Sequence, residues 1–288
     1  MTDRKPPVAV TVLGTGLIGA AVSRNLARKG FRVRVWNRTP EKARALAADG
    51  AEPVDRAADA VRGADIVVTV LKDGPAVREA MTAALPGLPK GAIWLQLSTV
   101  GVGAIEALAG FSAENTLVLY DAPVQGTRQP AEQGRLVILA SGPVSRRPEA
   151  QTVFDAVGQR TLWVSEAPGG ASRLKLALNA FVFALTHGTA ESLAIAKVLG
   201  LNPALVIEAV TGGPLDSPYV QAKGGAMLNG DYATSFSVAN GLKDAGLVVE
   251  ALAGTGIRAD LAEAGLARFR RADQAGHGGK DIAASFLV

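Results

Sequence analysis

In the first half of the chain, short apolar runs alternate with stretches whose apolar residues recur every three or four positions. Residues 8–13 are rich in β-formers and stop at Gly14. Residues 17–29 carry helical spacing and stop at Gly30, and residues 31–36 alternate apolar and basic side chains as a strand does. Residues 40–49 open on Thr39-Pro40, a helix start with Thr as cap and Pro in the first turn. Ile66, Val67, Val68 and Val70 make 65–71 a continuous apolar strand. Strands over 92–97 and 116–120 follow with a helix between them, and strands over 135–140 and 160–164 flank a helix near 148–157. Apolar strands alternating with helices predict an α/β domain whose mostly parallel, doubly wound sheet is covered on both faces.

After Pro168 the pattern changes. From Gly170 to Val288 little strand alternation remains, and Ala, Leu and Gly dominate at helical spacing. Residues 171–199 read as one long, largely apolar helix. A helix that is apolar all round must be buried on most sides. One small domain rarely achieves that, so the pattern points to burial between subunits. A chain of 288 residues also exceeds the usual single-domain size. The expected division is an α/β domain over 1–166 and an all-α domain over 167–288, with the long helix joining them.

Composition narrows the chemistry. Hydrophobic residues make up 48% and charged residues 19%, as in a well-buried globular protein. There is no cysteine, which excludes disulfides, thiolate zinc sites and cysteine nucleophiles. The two histidines, His187 and His277, read as structural, and no metal site is expected. The net charge of +4 is scattered along the chain rather than gathered into the basic face of a nucleic-acid binder. No apolar run approaches the ~18 residues of a membrane helix. Met1 to Pro7 is polar and lacks a signal-peptide core. A soluble, cytoplasmic protein with neither nucleic-acid nor membrane partners is expected.

Gly14-Thr15-Gly16-Leu17-Ile18-Gly19 is a G-x-G-x-x-G motif between a predicted strand and a predicted helix. The first glycine allows the tight turn, the second lets a pyrophosphate approach the backbone, and the third lets helix and strand pack closely. The phosphate then meets the free N–H groups of the helix start. At the end of the second strand, where an NAD site places a carboxylate for the ribose 2′-OH, stand Asn37, Arg38 and Thr39. Arg38 can grip a 2′-phosphate with its planar fork, and Asn37 and Thr39 can add hydrogen bonds. The expected cofactor is NADP(H).

Lys175 and Asn179, four apart on the long predicted helix, share one face and lie among Leu, Ala and Phe. Hydride delivery to a carbonyl carbon makes its oxygen basic, and a lysine can protonate it if its pKa is lowered to roughly 7–8. From spacing alone, a lysine snorkelling from an amphipathic face is an equally open reading.

Four places together resemble the β-hydroxyacid dehydrogenase family, which includes 3-hydroxyisobutyrate dehydrogenases and glyoxylate/succinic semialdehyde reductases. These are residues 14–19, Asp121-Ala122-Pro123-Val124-Gln125-Gly126, the stretch from Gly170 to Asn179, and Lys243-Asp244 with Phe236 upstream. The resemblance implies a Rossmann domain followed by an all-α domain, in a dimer whose active site forms at the domain and subunit junction. It also implies Lys175 as general acid/base with Asn179 in support. Leu71, Thr99 and Lys243 become cofactor contacts, and Pro123, Val124, Gln125, Gly126, Thr127 and Phe236 substrate contacts. Phe181 and Tyr219 join as lining residues. Lys243 can also be read as an ordinary helix lysine near Asp244, and Asp121 as a strand end that caps the following turn.

Two departures from that family matter. Its substrate loop reads D-x-P-x-S-G-G, in which the serine and the following amides hold a carboxylate. Here Gln125 stands for the serine and Thr127 for the second glycine, followed by Arg128. Gln96 stands where relatives often carry an acid. The stretch over 95–99 is similar to imine reductases, which share the fold but usually carry Asp or Tyr at the lysine position. Three readings follow: an NADPH-dependent reductase of a small aldehyde or keto compound, an imine reductase on the same scaffold, and a non-catalytic NADP-binding dimer.

Overall fold

The computed structural model describes residues 8–288. Met1 to Pro7, read above as a polar start without a signal-peptide core, lies outside the described residues.

The α/β part runs β1 (Ala9–Leu13), α1 (Leu17–Arg28), β2 (Arg32–Trp36), α2 (Pro40–Arg44), β3 (Glu52–Pro53), α3 (Ala57–Ala60), β4 (Ile66–Thr69), α4 (Gly74–Ala84), β5 (Ile93–Gln96), α5 (Val102–Glu114) and β6 (Val118–Asp121). It continues through β7 (Val124–Gln125), α6 (Arg128–Glu132), β8 (Leu136–Ser141), α7 (Arg147–Val157) and β9 (Gly158–Ser165). The strands form one sheet in the order β3-β2-β1-β4-β5-β6-β8-β7, with β9 paired to β8. Pairings from β3 to β6 are parallel, β8 is antiparallel to β6 and β7, and β9 runs parallel to β8. This is the mostly parallel Rossmann sheet that the apolar runs predict.

Those runs are apolar throughout because the sheet is covered twice. Ile66 and Val68 point with Val10, Val12, Val33 and Val35 into a core closed by Val22 and Leu26 of α1 and Phe154 of α7. Val67, Trp94 and Leu119 point the other way, against Val77 and Met81 of α4 and Ile105 and Phe111 of α5. The strand order reverses between β1 and β4, which opens a crevice at the carboxyl ends of these strands.

Several details differ from the sequence reading. The helix expected over 40–49 stops at Arg44 and continues as a 3₁₀ turn over Ala47–Asp49, ended by Gly50 in the left-handed region. Thr39 sits at the cap position with Pro40 behind it, but its hydroxyl caps nothing. Its carbonyl instead accepts from Asn37 Nδ2 at 3.0 Å. β3, α3 and β7 were not foreseen, and at two to four residues none is long enough to show a period.

The helical part comprises α8 (Gly170–Val198), α9 (Ala204–Val210), α10 (Pro218–Asn229), α11 (Val238–Leu252) and α12 (Asp260–Ala272). The 29-residue α8 is the long helix the sequence predicts. Two compact units divide at Lys175 and Leu176, within α8. The second unit has its own core, in which Phe183, Val238, Ala245, Phe269 and Ile282 pack together, with Phe183 edge-on to Phe269 at 5.1 Å. Among the described residues no helix is long and apolar enough to cross a membrane.

Candidate active site

The glycine-rich turn joins β1 to α1 with little room to spare. Gly14 has φ 103°, and a Cβ on it would lie 2.2 Å from the Val70 carbonyl oxygen. A Cβ on Gly19 would fall 1.9 Å from the Gly14 carbonyl oxygen, so α1 closes directly onto the turn. Gly16 has open space above it and precedes a helix start that no side chain caps. Beside it, the buried Thr15 hydroxyl has no hydrogen-bond partner among the described residues. Free helix N–H groups, an exposed backbone and an unpartnered hydroxyl are the donors a dinucleotide pyrophosphate needs. Leu17 and Ile18 belong to the first turn of α1, Leu17 being largely exposed. The residues present therefore fit the cofactor.

At the end of β2, Asn37 is used for structure. Its Oδ1 accepts from Thr15 N at 3.1 Å and its Nδ2 donates to the Thr39 carbonyl at 3.0 Å, which pins the glycine turn to the strand end. Arg38 is exposed beside it and has no side-chain partner among the described residues.

The ends of β4 and β5 are fastened together by Ser98. Its Oγ accepts from Leu71 N at 2.8 Å, while Leu71 packs over Gly14. Gln96, fully buried, clips Ser98 from both sides: Oε1 accepts from Ser98 N at 2.7 Å and Nε2 donates to the Ser98 carbonyl at 2.8 Å. A carboxylate at this position can accept but not donate, so here the amide does what an acid cannot. Thr99 follows, half-buried.

Residues 123–127 form the substrate loop proposed from the sequence. Pro123 accepts from Leu139 N at 3.0 Å, and Val124 and Gln125 form β7 opposite Ile138 and Val137. Gly126 turns with φ 127°, where a Cβ would meet Leu136 at 2.9 Å, and Thr127 precedes α6 without capping it. Arg128 is not turned to the loop: its Nε donates to Glu132 Oε1 at 2.8 Å.

Lys175 is 8% exposed and Asn179 3%. Both polar heads have polar partners rather than purely apolar surroundings. Lys175 Nζ donates to Gln125 Oε1 at 2.8 Å. Asn179 Nδ2 donates to Asp244 Oδ2 at 3.1 Å, and the other oxygen of Asp244 pairs with Lys243 Nζ at 2.5 Å. Asp244 thus bridges two residues singled out in the sequence, and Lys243 is not an exposed helix lysine. No spacing rule marks Asp244, because its link to Asn179 exists only once α8 and α11 are packed.

Asp121 ends β6 as expected, but it does not cap the next turn. Its buried carboxylate accepts from Gly169 N at 3.0 Å, Ser172 N at 2.8 Å and Ser172 Oγ at 2.7 Å, so it caps the start of α8. Burial pushes its carboxyl above the usual range, against the pull of these hydrogen bonds. Ser141 Oγ accepts from Ala171 N at 2.8 Å in the same turn.

In the second unit, Phe236 stacks on Phe183 at 6.2 Å, and its N–H donates to Asp281 at 3.2 Å. Asp281 also pairs with buried Lys223 at 2.6 Å. Burial alone would raise the Asp281 carboxyl, but the Lys223 ammonium and the hydrogen bonds hold it below its usual range. The Tyr219 hydroxyl is 2.5 Å from Thr186 Oγ1, and burial pushes its pKa up to about 12. Phe181 is 63% exposed. His187 is buried 4.4 Å from Phe269; desolvation, then Arg268 and Arg271, bring its pKa down to about 4.

A glycine-rich turn at the switch point of a Rossmann sheet, followed by a helical unit, is the arrangement of a dinucleotide-binding protein, the class to which NAD(P)-dependent oxidoreductases belong. The chain belongs to the family of the NAD-binding domain of 6-phosphogluconate dehydrogenase, which it matches over residues 9–165. Residues 169–287 match the NAD-binding region of NADP-dependent 3-hydroxyisobutyrate dehydrogenase. Glyoxylate/succinic semialdehyde reductase 1 of Arabidopsis thaliana is 28% identical over 96% of this chain and 96% of its own. The structure of the 3-hydroxyisobutyrate dehydrogenase of Mycobacterium tuberculosis with L-serine superposes with a TM-score of 0.87 at 26% identity, covering 98% of both chains. An imine reductase of Myxococcus stipitatus in complex with NADP+ superposes at 0.67, with 24% identity over 97% of this chain and 100% of that one. That last likeness shows the shared fold alone. The protein is an NAD(P)-dependent oxidoreductase of the β-hydroxyacid dehydrogenase type.

Proposed function

We propose that the protein is an NADPH-dependent reductase of small aldehydes or ketones in which Lys175 protonates the carbonyl oxygen. The observation that carries this reading is a buried ammonium on α8 held 2.8 Å from Gln125 of the adjacent loop. When bound, the nicotinamide supplies the hydride. Lys175 Nζ gives a proton to the oxygen as negative charge develops there and, in the oxidative direction, takes it back. Asn179, one helical turn on, supports this group, and its own amide is oriented by Asp244.

The unpartnered guanidinium of Arg38, at the end of β2, supports NADP(H) over NAD(H), since it offers a bidentate grip to a 2′-phosphate. Thr15, Gly16 and the first turn of α1 would hold the pyrophosphate. Leu71, Thr99 and Lys243 are proposed as further cofactor contacts, and residues 123–127 with Phe236 as substrate contacts. We infer a cytoplasmic homodimer in which the apolar residues exposed along α8, among them Phe181, Ile195 and Val198, are covered by a second copy. The expected division of labour remains a cofactor domain over 1–166 and a substrate and dimerisation domain over 167–288.

A second reading, imine reduction on the same scaffold, is favoured by Gln125 in place of the serine used for carboxylates. NADPH consumption by the purified protein tests both. The panel holds semialdehyde acids, 2-oxo acids, uncharged aldehydes and a cyclic imine, each also run with NADH. Turnover of a carbonyl compound with NADPH preferred is the expected result. Turnover of the imine alone would move the protein to the second reading, and absence of turnover throughout would leave a non-catalytic NADP-binding dimer.

A further inference from the structure

The loop over 123–127 and the helix after it carry two side chains suited to a substrate carboxylate besides the Thr127 hydroxyl, and both are committed elsewhere. Arg128 Nε donates to Glu132 Oε1, one turn along α6, at 2.8 Å. Gln125 Oε1 accepts from Lys175 Nζ at 2.8 Å. The backbone of Gln125 is fixed in β7, in antiparallel register with Val137 of β8, so its reach toward Lys175 is set by side-chain length. A serine hydroxyl at this position would sit two carbon atoms nearer the backbone and would not span the same gap.

An ammonium carries three N–H donors. Holding one of them on a fixed acceptor removes rotation about the Cε–Nζ bond and gives the other two defined directions. A neutral amide oxygen suits this task better than a carboxylate. It orients the ammonium without the opposite charge of a carboxylate, which would oppose proton release, and it remains an acceptor for the neutral amine afterwards. Proton transfer needs the donor within hydrogen-bond reach of the oxygen it serves, so an acceptor that aims the lysine acts on the rate of the chemical step.

Resting on Lys175 as the acid, we propose that Gln125 is a positioning residue for Lys175 and that the loop, having given its amide to the lysine, takes carbonyl compounds without an acidic group. Of the two cations described at this loop, Arg128 is paired with Glu132 and Lys175 is held by Gln125. With one N–H on Gln125 and one serving the carbonyl oxygen, the ammonium has a single donor left for a carboxylate.

Steady-state kinetics with NADPH on the matched pair butanal and succinic semialdehyde test this, using the wild type, Gln125→Met and Gln125→Ser. Met keeps the bulk of Gln125 and loses the acceptor. The expected kcat/KM of the wild type is at least about tenfold higher for butanal. Both variants are expected to lose about tenfold or more in kcat on butanal while KM stays within about threefold, as for a group that acts only in the transition state. Titrating the NADPH-loaded protein with the product alcohols reads the same preference without turnover, and 1-butanol should bind more tightly than 4-hydroxybutyrate. Preference for the semialdehyde acid, or a raised KM with kcat retained in either folded variant, overturns the proposal. NADPH binding of each variant establishes that it is folded, and Ser serves if Met does not fold. Activity that survives Lys175→Ala, or no turnover of either aldehyde by protein that binds NADPH, overturns the parent reading instead.

Discussion

At the scale of single residues, the chemistry turns on which polar groups are held and which are left free. Lys175, Asn179, Gln96 and Asp121 are all buried and all engaged, whereas Arg38 and the Thr15 hydroxyl, beside the glycine turn, have no partner among the described residues. Replacing Arg38 by Ala should weaken NADPH binding by about ten- to hundredfold, the worth of one or two charge-assisted hydrogen bonds, and leave NADH binding unchanged. Fluorescence titration with the two cofactors checks this, and equal losses for both would remove Arg38 from the 2′-phosphate site. The glycine turn was legible in the sequence because it is a short local pattern with a physical reason behind it, whereas Arg38 and Lys175 stood out there as candidates, Lys175 by spacing no better than a snorkelling lysine. The tasks of Gln125, Gln96 and Asp244 were not, because their partners are fixed by the fold rather than by spacing. Gln96 looks like a lost acid in the sequence, and in the structure it is a two-sided clip that an ionised carboxylate could not make.

At the scale of elements, the start of α8 holds the candidate acid in place. Three hydrogen bonds from Gly169 and Ser172 end on Asp121, four residues before Gln125 in the chain. One carboxylate therefore ties the root of the substrate loop to the first turn of the helix that carries Lys175. Asp121→Ala removes a helix cap and strands buried N–H groups, so it should cost about 3 kcal/mol in chemical denaturation. Asp121→Asn, which keeps an acceptor, should cost clearly less. Equal costs would mean that the cap contributes little. The long helix and the parallel strands were readable from periodicity, since each repeats its pattern several times. β7 was not: its two residues are a strand only because β8 lies alongside them.

At the scale of the whole molecule, the chain forms two compact units, and the second carries a buried histidine in its interior. His187 lies in the core of the second unit with its pKa reduced from 6.5 to about 4. Its unfolded form binds a proton at higher pH than its folded form does. Stability is therefore complete above pH ~6.5, falls as pH drops toward about 4, and changes no further from this group below that. At about 1.4 kcal/mol per pKa unit, the loss is at most roughly 3.5 kcal/mol. Urea denaturation of the wild type and His187→Phe between pH 7 and 4 measures it. The variant should show a shallower dependence, and parallel curves would assign the pH effect elsewhere. The exposed apolar residues of α8 predict a dimer in sedimentation equilibrium, and Phe181→Glu should shift it toward monomer. A wild-type monomer at micromolar concentration would contradict this.

The central claim is that Lys175 delivers the proton in an NADPH-dependent reduction. Single-turnover reduction by wild type and Lys175→Ala, each preloaded with NADPH and mixed with the aldehyde the wild type turns over best, tests it most directly. The expected result is a fall in the hydride-transfer rate of about 10²–10⁴-fold with NADPH affinity unchanged. A variant that transfers hydride at the wild-type rate would contradict it and would return Lys175 to the role of a buried structural lysine.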